Sequence, residues 1–405
     1  MTSTFTWLDY SEHDRQKMLD VIQIFGERTT RDELGLGGIR DAFADYLFPG
    51  TSTIQTRAKY FLFIPWIYLE LEQRRVPSDN AAIRSRKREV DLINALLASD
   101  NPIGTIGRLA KENIQRLPSS VYWQGLGVWG IRTFEGSQDE YHRSLDLFYV
   151  RRHARTSSLQ EFAGEAPDST AIANWHSGLP RVPKGFPEKA SFELSRDEAA
   201  YLREQVLRTC PESLLAFLLR GRQIDEEANF AWEMSTELPD NLSVWIGHGR
   251  NFSEMLHGAA LLYNLMLAEA SGWSDKIADY RARLSDWWNA LSQRRLELRD
   301  WDLQVFWNLV TRQNPRISTR TKNFVKEWIS LVQSANGERS VVELSRAREL
   351  IHHRERYLKG RMARLTNDRA RELWQNSNGE AGSQQVDLRW NAAKRIVADI
   401  ADAWK

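Results

Sequence analysis

The sequence has one cysteine, Cys210, in 405 residues. One thiol cannot form an intramolecular disulfide or supply the several cysteine ligands of a structural zinc site. The most apolar stretch, residues 60–71, contains Pro65 and Glu70 and is shorter than the roughly 20 residues that a membrane-spanning helix requires. The first residues lack the basic region and apolar core of a secretory signal. We therefore expect a protein of a reducing compartment, cytoplasmic and without a membrane partner.

An excess of charge of one sign is also lacking. Lys and Arg number 55 and Asp and Glu number 54, which leaves a formal net charge of +1. The field of the whole molecule will therefore not draw it to nucleic acid or to an anionic membrane, and any such affinity must come from local patches. Hydrophobic residues make up 42% and charged residues 27% of the chain, which excludes wholesale disorder.

Motifs of the common enzyme classes are absent as well. Gly35, Gly37 and Gly38 suggest a phosphate-binding loop, but no Gly-Lys-Ser/Thr follows them and no strand precedes them. The sequence contains neither His-Glu-x-x-His nor Gly-x-Ser-x-Gly, and the acidic residues 225–227 are best interpreted as a solvated helix start. We expect no metal and no cofactor, and we favour a non-catalytic protein while leaving an enzyme open.

Helical patterns are what the sequence has in abundance. Ser195-Arg-Asp-Glu198 has the spacing of a helix-capping box, and Pro65 is expected to bend a long helix. No alternating β-branched run is long enough to define a sheet. We predict helices over residues 11–26, 40–48, 54–75, 79–98, 105–117, 138–152, 195–209, 211–222, 224–236, 251–271, 273–297, 299–312, 318–336, 340–358, 366–377 and 385–404. The fold class is therefore mainly α and multi-helical.

The 16 tryptophans are scattered through the chain without a fixed repeat. We interpret most of them as large side chains that fill gaps between packed helices. Stacking of nucleic-acid bases on a few exposed tryptophans is the alternative.

Residues 153–192 interrupt the helical pattern. Ser, Thr, Gly and Pro cluster there, and a loop of this length is either functional or a linker. The chain also exceeds the roughly 250–300 residues at which a single core stops growing. We therefore predict two helical subdomains, residues 1–152 and residues 193–405, joined by a long irregular segment rich in proline and glycine over residues 153–192.

Cationic residues at helix starts suggest an anion-binding site. Arg40, Arg57 and Lys59 flank glycine- and threonine-containing turns, where backbone donors and cationic side chains could hold an anion together. The alternative is that these segments are ordinary turns between helices.

Two basic segments in the C-terminal half are candidates for nucleic-acid binding. Residues 311–322 form a turn without an acidic residue, and residues 354–364 form a basic helix diluted only by Glu355. The candidate phosphate-contacting residues are Arg312, Arg316, Arg320, Lys322, Arg354, Arg356, Lys359 and Arg361. Together with Arg84, Arg86, Lys87 and Arg88 they could neutralise phosphates. The alternative is a solvated face balanced by acidic neighbours.

Several unusual strings are shared with a known family. They are FTWLDYSE (residues 5–12), LGLGGIRDAFADYLFPGTS (34–52), QTRAKYFLFIPW (55–66), WHSGLP (175–180) and HGAALLY (257–263). With them the chain resembles a family of bacterial proteins of about this length, known only as a domain of unknown function. The resemblance carries no catalytic residues, but members of such a family look like components of genome-defence neighbourhoods, alongside helicases and nucleases.

We therefore hypothesise a non-catalytic component of a bacterial anti-phage defence system that binds DNA or a DNA-acting partner protein. One alternative is a nuclease or nucleotide-processing enzyme with an unfamiliar site near Arg40, Arg57 and Lys59. Another is a purely structural scaffold subunit of a protein complex, in which tryptophan-rich surfaces pack against other subunits.

Overall fold

Helices account for almost all of the regular structure. The computed structural model describes residues 32–161, 173–221, 224–225, 227–335, 341, 343 and 345–405. Within these ranges the only strand-like pairing is one isolated antiparallel bridge between Arg132 and Trp175. The mainly α, multi-helical fold is therefore confirmed, whereas the helix predicted over residues 11–26 lies outside the described residues. No described helix combines the length and the apolar character needed to cross a membrane.

The described residues form fifteen α-helices. In chain order they are α1 (Gly37–Leu47), α2 (Tyr60–Gln73), α3 (Ser78–Leu97), α4 (Pro118–Val128), α5 (Gln138–Glu161), α6 (Arg196–Thr209), α7 (Leu214–Gly221), α8 (Asp240–Ala270), α9 (Ser274–Gln293), α10 (Arg295–Arg299), α11 (Leu303–Gln313), α12 (Thr319–Ser334), α13 (Ser345–Lys359), α14 (Asp368–Asn376) and α15 (Trp390–Asp402). Short 3₁₀ helices cover Lys111–Asn113, Ala231–Glu233 and Gly360–Met362.

Several helix starts follow from capping residues in the sequence. At α6 the backbone N–H of Glu198 donates to Ser195 Oγ at 3.2 Å, and the backbone N–H of Ser195 donates to Glu198 Oε2 at 2.7 Å. This is the predicted capping box. Asp302 and Ser318 accept backbone hydrogen bonds in the same way at the starts of α11 and α12.

The helix expected over residues 105–117 is wrong. Only the 3₁₀ turn Lys111–Asn113 forms there. Gly104 and Gly107 have φ values of +95° and +83°, which lie in the left-handed half of conformational space and cannot continue a right-handed helix.

The helix expected over residues 224–236 is wrong for a different reason. The Asp225 carboxylate accepts backbone hydrogen bonds from Glu227 and Ala228, and the Glu233 carboxylate accepts them from Asn229 and Phe230. Such local bonds between side chain and backbone satisfy the donors that a helix would otherwise use.

Helix α5 is longer than predicted, and the irregular segment after it is correspondingly shorter. Helix α5 continues to Glu161, because no glycine or proline interrupts residues 153–161. Residues 173–192 contain no helix, as expected, and they are fixed by buried side chains such as Trp175 and Phe192.

The described residues group into two compact units. The first unit contains residues 32–43 and Ser243–Leu388, and the second contains Ala44–Leu242 and Arg389–Lys405. This grouping differs from the predicted subdomains 1–152 and 193–405. In the second unit α15 packs on α6 and α7 and buries an apolar face, whereas α9 to α14, which the prediction placed in the same subdomain as these three helices, belong to the first unit. Whether residues 153–192 separate independently folding domains stays a prediction.

Aromatic side chains dominate the core of the second unit. Helix α2 is apolar around most of its circumference, and the ring of Phe61 stacks on that of Trp129 with centroids 3.8 Å apart. Trp66 and Trp390 are also fully buried in this unit. These tryptophans fill the spaces between helices, as the packing interpretation requires.

The core of the first unit is built around the long helix α8. Phe252 of α8 stacks on Phe43 and Phe306 with centroid separations of 6.3 and 6.0 Å. The indole nitrogen of the buried Trp328 donates to the Met255 carbonyl oxygen at 2.9 Å, so α12 is held against α8 by a hydrogen bond as well as by apolar packing.

Candidate nucleic-acid interface

The two basic segments predicted from the sequence meet in the first unit. The start of α12 packs on the end of α13, and the guanidinium carbon of Arg320 lies 4.4 Å from the ring centroid of Tyr357. One guanidinium nitrogen of Arg354 donates to Thr321 Oγ1 at 3.0 Å. The turn at residues 312–322 and the helix at residues 354–361 therefore form neighbouring parts of one surface.

Five arginines on this surface are exposed. They are Arg312, Arg316, Arg320, Arg356 and Arg361, and we call them the basic surface. Within the described part of the chain, none of the five forms an ion pair with a carboxylate. Other exposed arginines of this unit do so: Arg299 lies 3.2 Å from Asp300 and Arg346 lies 3.2 Å from Glu327. The basic surface therefore keeps its positive charge available for an external anion.

Two of the predicted phosphate-contacting residues are not available for that role. Arg354 is only 4% exposed, and its guanidinium donates to the carbonyl oxygens of Leu34 and Gly35 at 2.8 and 3.1 Å. Lys359 is largely buried, and its ammonium group contacts the carboxylate of Glu33. Both side chains fix the segment before α1 to α13. Lys322 is partly buried, with its nitrogen 5.8 Å from the Trp307 ring centroid.

A buried network of charges explains why Lys359 turns inward. Glu355 is fully buried and accepts hydrogen bonds from Tyr263 and from the backbone N–H groups of Arg364 and Leu365. The ammonium group of Lys359 lies 3.3 Å from the same carboxylate. Burial raises the pKa of the Tyr263 hydroxyl above its ordinary value, so this group acts as a hydrogen-bond donor.

The glycine-containing segment before α1 already holds an anion of the chain itself. The backbone N–H groups of Leu36 and Gly37 donate to the Asp32 carboxylate, at 2.7 Å for Gly37. Arg40 lies one turn further on and pairs with Asp41 at 3.0 Å. An external anion at this helix start would have to displace Asp32.

The start of α2 holds an internal carboxylate in the same way. Arg57 Nε lies 2.9 and 3.0 Å from the two oxygens of Asp399, and the backbone N–H of Ala58 donates to Asp399 Oδ2 at 2.7 Å. Lys59 pairs with Glu198 at 3.1 Å. These are the backbone and cationic donors that the sequence suggested, but their anions come from α15 and α6.

The three predicted anion-binding residues do not form one cluster within either unit. Arg40 belongs to the first unit, whereas Arg57 and Lys59 belong to the second. Burial raises the pKa of Asp399 against the opposing effect of Arg57. The two residues nevertheless have good geometry for an ion pair that fixes the position of α15.

The histidines of the described residues do not assemble a metal site. No group of three or more His, Cys, Asp or Glu side chains there could hold a metal ion. His248 and His257 both lie on α8, and His257 contacts the Ser383 carbonyl oxygen at 3.1 Å. Burial lowers the pKa of His257 to about 4, so its imidazole is neutral at physiological pH and donates this hydrogen bond.

An apolar cleft on the first unit was missed from the sequence. It has a volume of about 260 Å³ and lies between α9, α10 and α12. Its lining consists of Met255, Trp288, Leu291, Ser292, Arg295, Leu296, Leu298, Arg299, Val332 and Gln333. Leu296 is 70% exposed at this cleft. Small-molecule sites usually measure roughly 300–1,000 Å³, so the cleft suits an apolar side chain of a partner better than a large cofactor.

Tyr357 was also missed from the sequence, where only tryptophans were considered as stacking residues. Its side chain is 50% exposed, and its ring lies against the guanidinium group of Arg320, one of the arginines of the basic surface. The available signal was an aromatic residue inside the basic stretch 354–361, a pattern typical of surfaces that bind single-stranded nucleic acid.

One known protein family matches almost the whole chain. A family model described as "Family of unknown function (DUF6361)" matches residues 2–404. The chain belongs to this family. The DUF6361 match spans both units, so the two are parts of one family architecture. Comparison with curated proteins and with solved structures finds no match to the chain.

Proposed function

We propose that the protein is a non-catalytic, nucleic-acid-binding component of a bacterial anti-phage defence system. The observation that carries the proposal is the basic surface: five exposed arginines, drawn from two separate segments, have no carboxylate partner in the described part of the first unit. The defence role is supported by the family resemblance to proteins of genome-defence neighbourhoods.

Phosphate contact is the chemistry that such a surface supports. Arginine presents planar, bidentate donors that match phosphate oxygens, and each contact releases counterions from the nucleic acid. The local patch supplies attraction although the whole chain is nearly neutral. Binding is therefore expected to weaken steeply as salt rises.

The direct test is binding of the purified full chain to a short labelled DNA by fluorescence anisotropy. The variant Arg312→Gln/Arg316→Gln/Arg356→Gln removes three charges from the basic surface. We expect this variant to bind at least about tenfold more weakly than the unmodified protein at about 50 mM salt. The slope of log K against log salt concentration is expected to be smaller in magnitude by roughly 3, because each lost phosphate contact lowers it by about 1.

The matched control is Arg108→Gln/Lys111→Gln/Arg116→Gln, which removes three exposed positive charges of the second unit that belong to none of the predicted phosphate-contacting segments. This variant is expected to bind as the unmodified protein does. Equal weakening in both variants would show that binding follows net charge rather than the basic surface. No binding at low salt would contradict direct nucleic-acid binding by the isolated chain.

A DNA-acting protein as the bound partner is a second candidate, favoured by the apolar cleft. The cleft has an exposed leucine and two arginines at its edge and no carboxylate among its described lining residues. Because Arg299 pairs with Asp300, the cleft would suit an apolar side chain of the partner with one acidic residue beside it to pair with Arg295. No observation in the described ranges favours the nuclease alternative.

This second candidate has its own variant. Leu296→Glu places a carboxylate at the edge of the cleft and leaves the basic surface unchanged. When the protein is co-expressed with the products of neighbouring genes, Leu296→Glu is expected to abolish their co-purification, whereas Leu373→Glu, at another exposed leucine of the first unit, is expected to preserve it. Assemblies unaffected by Leu296→Glu would argue against docking at the cleft.

A further inference from the structure

The basic surface contains an aromatic residue, Tyr357, whose placement differs from that of the tyrosines in the cores of the two units. Tyr60, Tyr122 and Tyr263 are fully buried, and their hydroxyl groups are hydrogen-bonded. Tyr357 is half-exposed, and its hydroxyl has no hydrogen-bond partner among the described residues. Its ring contacts the guanidinium group of Arg320, which lies 4.4 Å from the ring centroid. Neither core packing nor hydrogen bonding explains an aromatic residue here.

A second exposed aromatic residue lies next to Tyr357 on the same face of α13, and we call the two together with Arg361 the row. His353 and Tyr357 are four residues apart on α13, so their side chains are neighbours on the same face. Both are exposed, and Arg361 follows in the 3₁₀ turn Gly360–Met362. The Tyr357 end of this exposed aromatic pair therefore has two arginines: Arg320 of α12 lies over the ring, and Arg361 follows in the turn after α13.

Aromatic and guanidinium planes recognise the faces of nucleobases. These faces are covered by stacking inside a duplex and become available only in unpaired strands. Proteins that bind single strands combine a positive groove along the phosphates with aromatic side chains that stack on successive bases. The row on α13 has both components, whereas a surface designed only for duplex phosphates does not need an exposed aromatic ring.

We propose that the basic surface binds single-stranded nucleic acid, with an unpaired base stacked against the Tyr357–Arg320 pair and the strand's phosphates held by the surrounding arginines. This inference rests on the proposed nucleic-acid-binding function and specifies its substrate class. Exposed Leu358 and Met362 lie next to the row and would also suit a protein partner, so the test separates base stacking from apolar docking.

The experiment compares a labelled single-stranded thymidine homopolymer with a duplex of equal length, using the full chain. Tyr357→Ala removes the ring, and Tyr357→Phe keeps it. We expect Tyr357→Ala to weaken single-strand binding roughly 5- to 140-fold without changing its salt dependence, because one stacked base is lost while the phosphate contacts remain. Tyr357→Phe is expected to remain within about twofold of the unmodified protein, and duplex binding to be unchanged in both variants.

A second measurement locates the base directly. On ultraviolet irradiation, a single strand containing 5-bromodeoxyuridine is expected to crosslink to the peptide 356–372, which cleavage after Glu355 and Glu372 releases for mass spectrometry. Attachment in the other unit would overturn the inference even if the affinities agreed.

The outcomes distinguish this inference from the function on which it rests. Steep, salt-dependent duplex binding with no effect of Tyr357→Ala on single strands would overturn base stacking and leave phosphate binding in place. Equal losses for Tyr357→Ala and Tyr357→Phe would assign the effect to the hydroxyl group and also overturn it. Absence of binding to either nucleic acid at low salt would overturn both.

Discussion

Glu89 shows how one buried group couples stability to pH. Its carboxylate is fully buried and accepts hydrogen bonds from the backbone N–H and the hydroxyl of Ser119, at 2.8 and 2.7 Å. Burial raises the pKa of Glu89 to about 7, although the bonds from Ser119 oppose this shift. The carboxyl group therefore changes protonation near neutral pH within the core of the second unit.

The sign of the effect follows from linkage. The folded pKa lies above the unfolded value, so the folded protein binds the proton more tightly. The stabilisation is complete below about pH 4.5 and is lost as pH rises through about 7. Glu89→Gln removes this dependence. We expect the free energy of unfolding of the unmodified protein to fall relative to Glu89→Gln by up to about 3 kcal/mol between about pH 5 and pH 8.

Urea unfolding at the two pH values measures this difference. Glu112→Gln, which changes an exposed carboxylate of the same unit, serves as the control and is expected to follow the unmodified protein. Parallel pH profiles for Glu89→Gln and the unmodified protein would refute the assignment.

Single residues also show the limits of sequence reasoning about the candidate site. Arg354 and Arg356 are two positions apart and look equivalent in the sequence, yet one is buried against backbone carbonyl oxygens and the other is exposed. The difference arises because positions two apart on a helix point in different directions. Which of the two faces the segment before α1 depends on tertiary packing, so composition alone could not separate them.

At the scale of helices, a capping motif predicted the start of α6 correctly, whereas one predicted helix did not form and contacts between remote segments could not be predicted. The capping box at Ser195 lies within four residues and was predicted correctly. The helix predicted over residues 105–117 does not form because Gly104 and Gly107 adopt positive φ values, which glycine permits but the sequence does not specify. The contact of Arg354 on α13 with the Leu34 carbonyl oxygen joins residues 320 positions apart, so no periodicity could predict it.

Asp399 attaches α15 to the residues just before α2, and we predict that removing its carboxylate destabilises the second unit. Asp399→Ala leaves the largely buried Arg57 guanidinium and the Ala58 N–H without their carboxylate. We expect the free energy of unfolding to fall by about 3 kcal/mol, because an uncompensated buried charge is costly. Asp399→Asn keeps the shape and part of the hydrogen bonding and is expected to lose less.

Thermal or denaturant unfolding measures these changes, with Asp402→Ala as the control on the same helix. Asp402 is exposed and pairs with the exposed Lys405, so its replacement is expected to change the free energy of unfolding by no more than about 0.5 kcal/mol. A loss for Asp402→Ala as large as that for Asp399→Ala would mean that the helix as a whole, rather than the Arg57 pair, is sensitive.

At the scale of the whole molecule, the division into two units predicts which helices Asp399→Ala destabilises first. Asp399 and Arg57 belong to the second unit together with Ala44–Leu242. In Asp399→Ala, hydrogen exchange is therefore expected to accelerate in α2, α6 and α7 before it does so in α8 and α12. Acceleration that instead follows the boundary at residues 153–192 would favour the domain division expected from the sequence.

The placement of α15 in the second unit also determines when that unit can complete its fold during synthesis. A ribosome synthesises residues 44–242 early, but Asp399 emerges only after the whole stretch 243–388 has been translated. At about 5–20 residues per second this delay is on the order of ten seconds. Throughout that time the apolar faces of α6 and α7 lack their cover, and they are natural binding surfaces for a chaperone on the nascent chain.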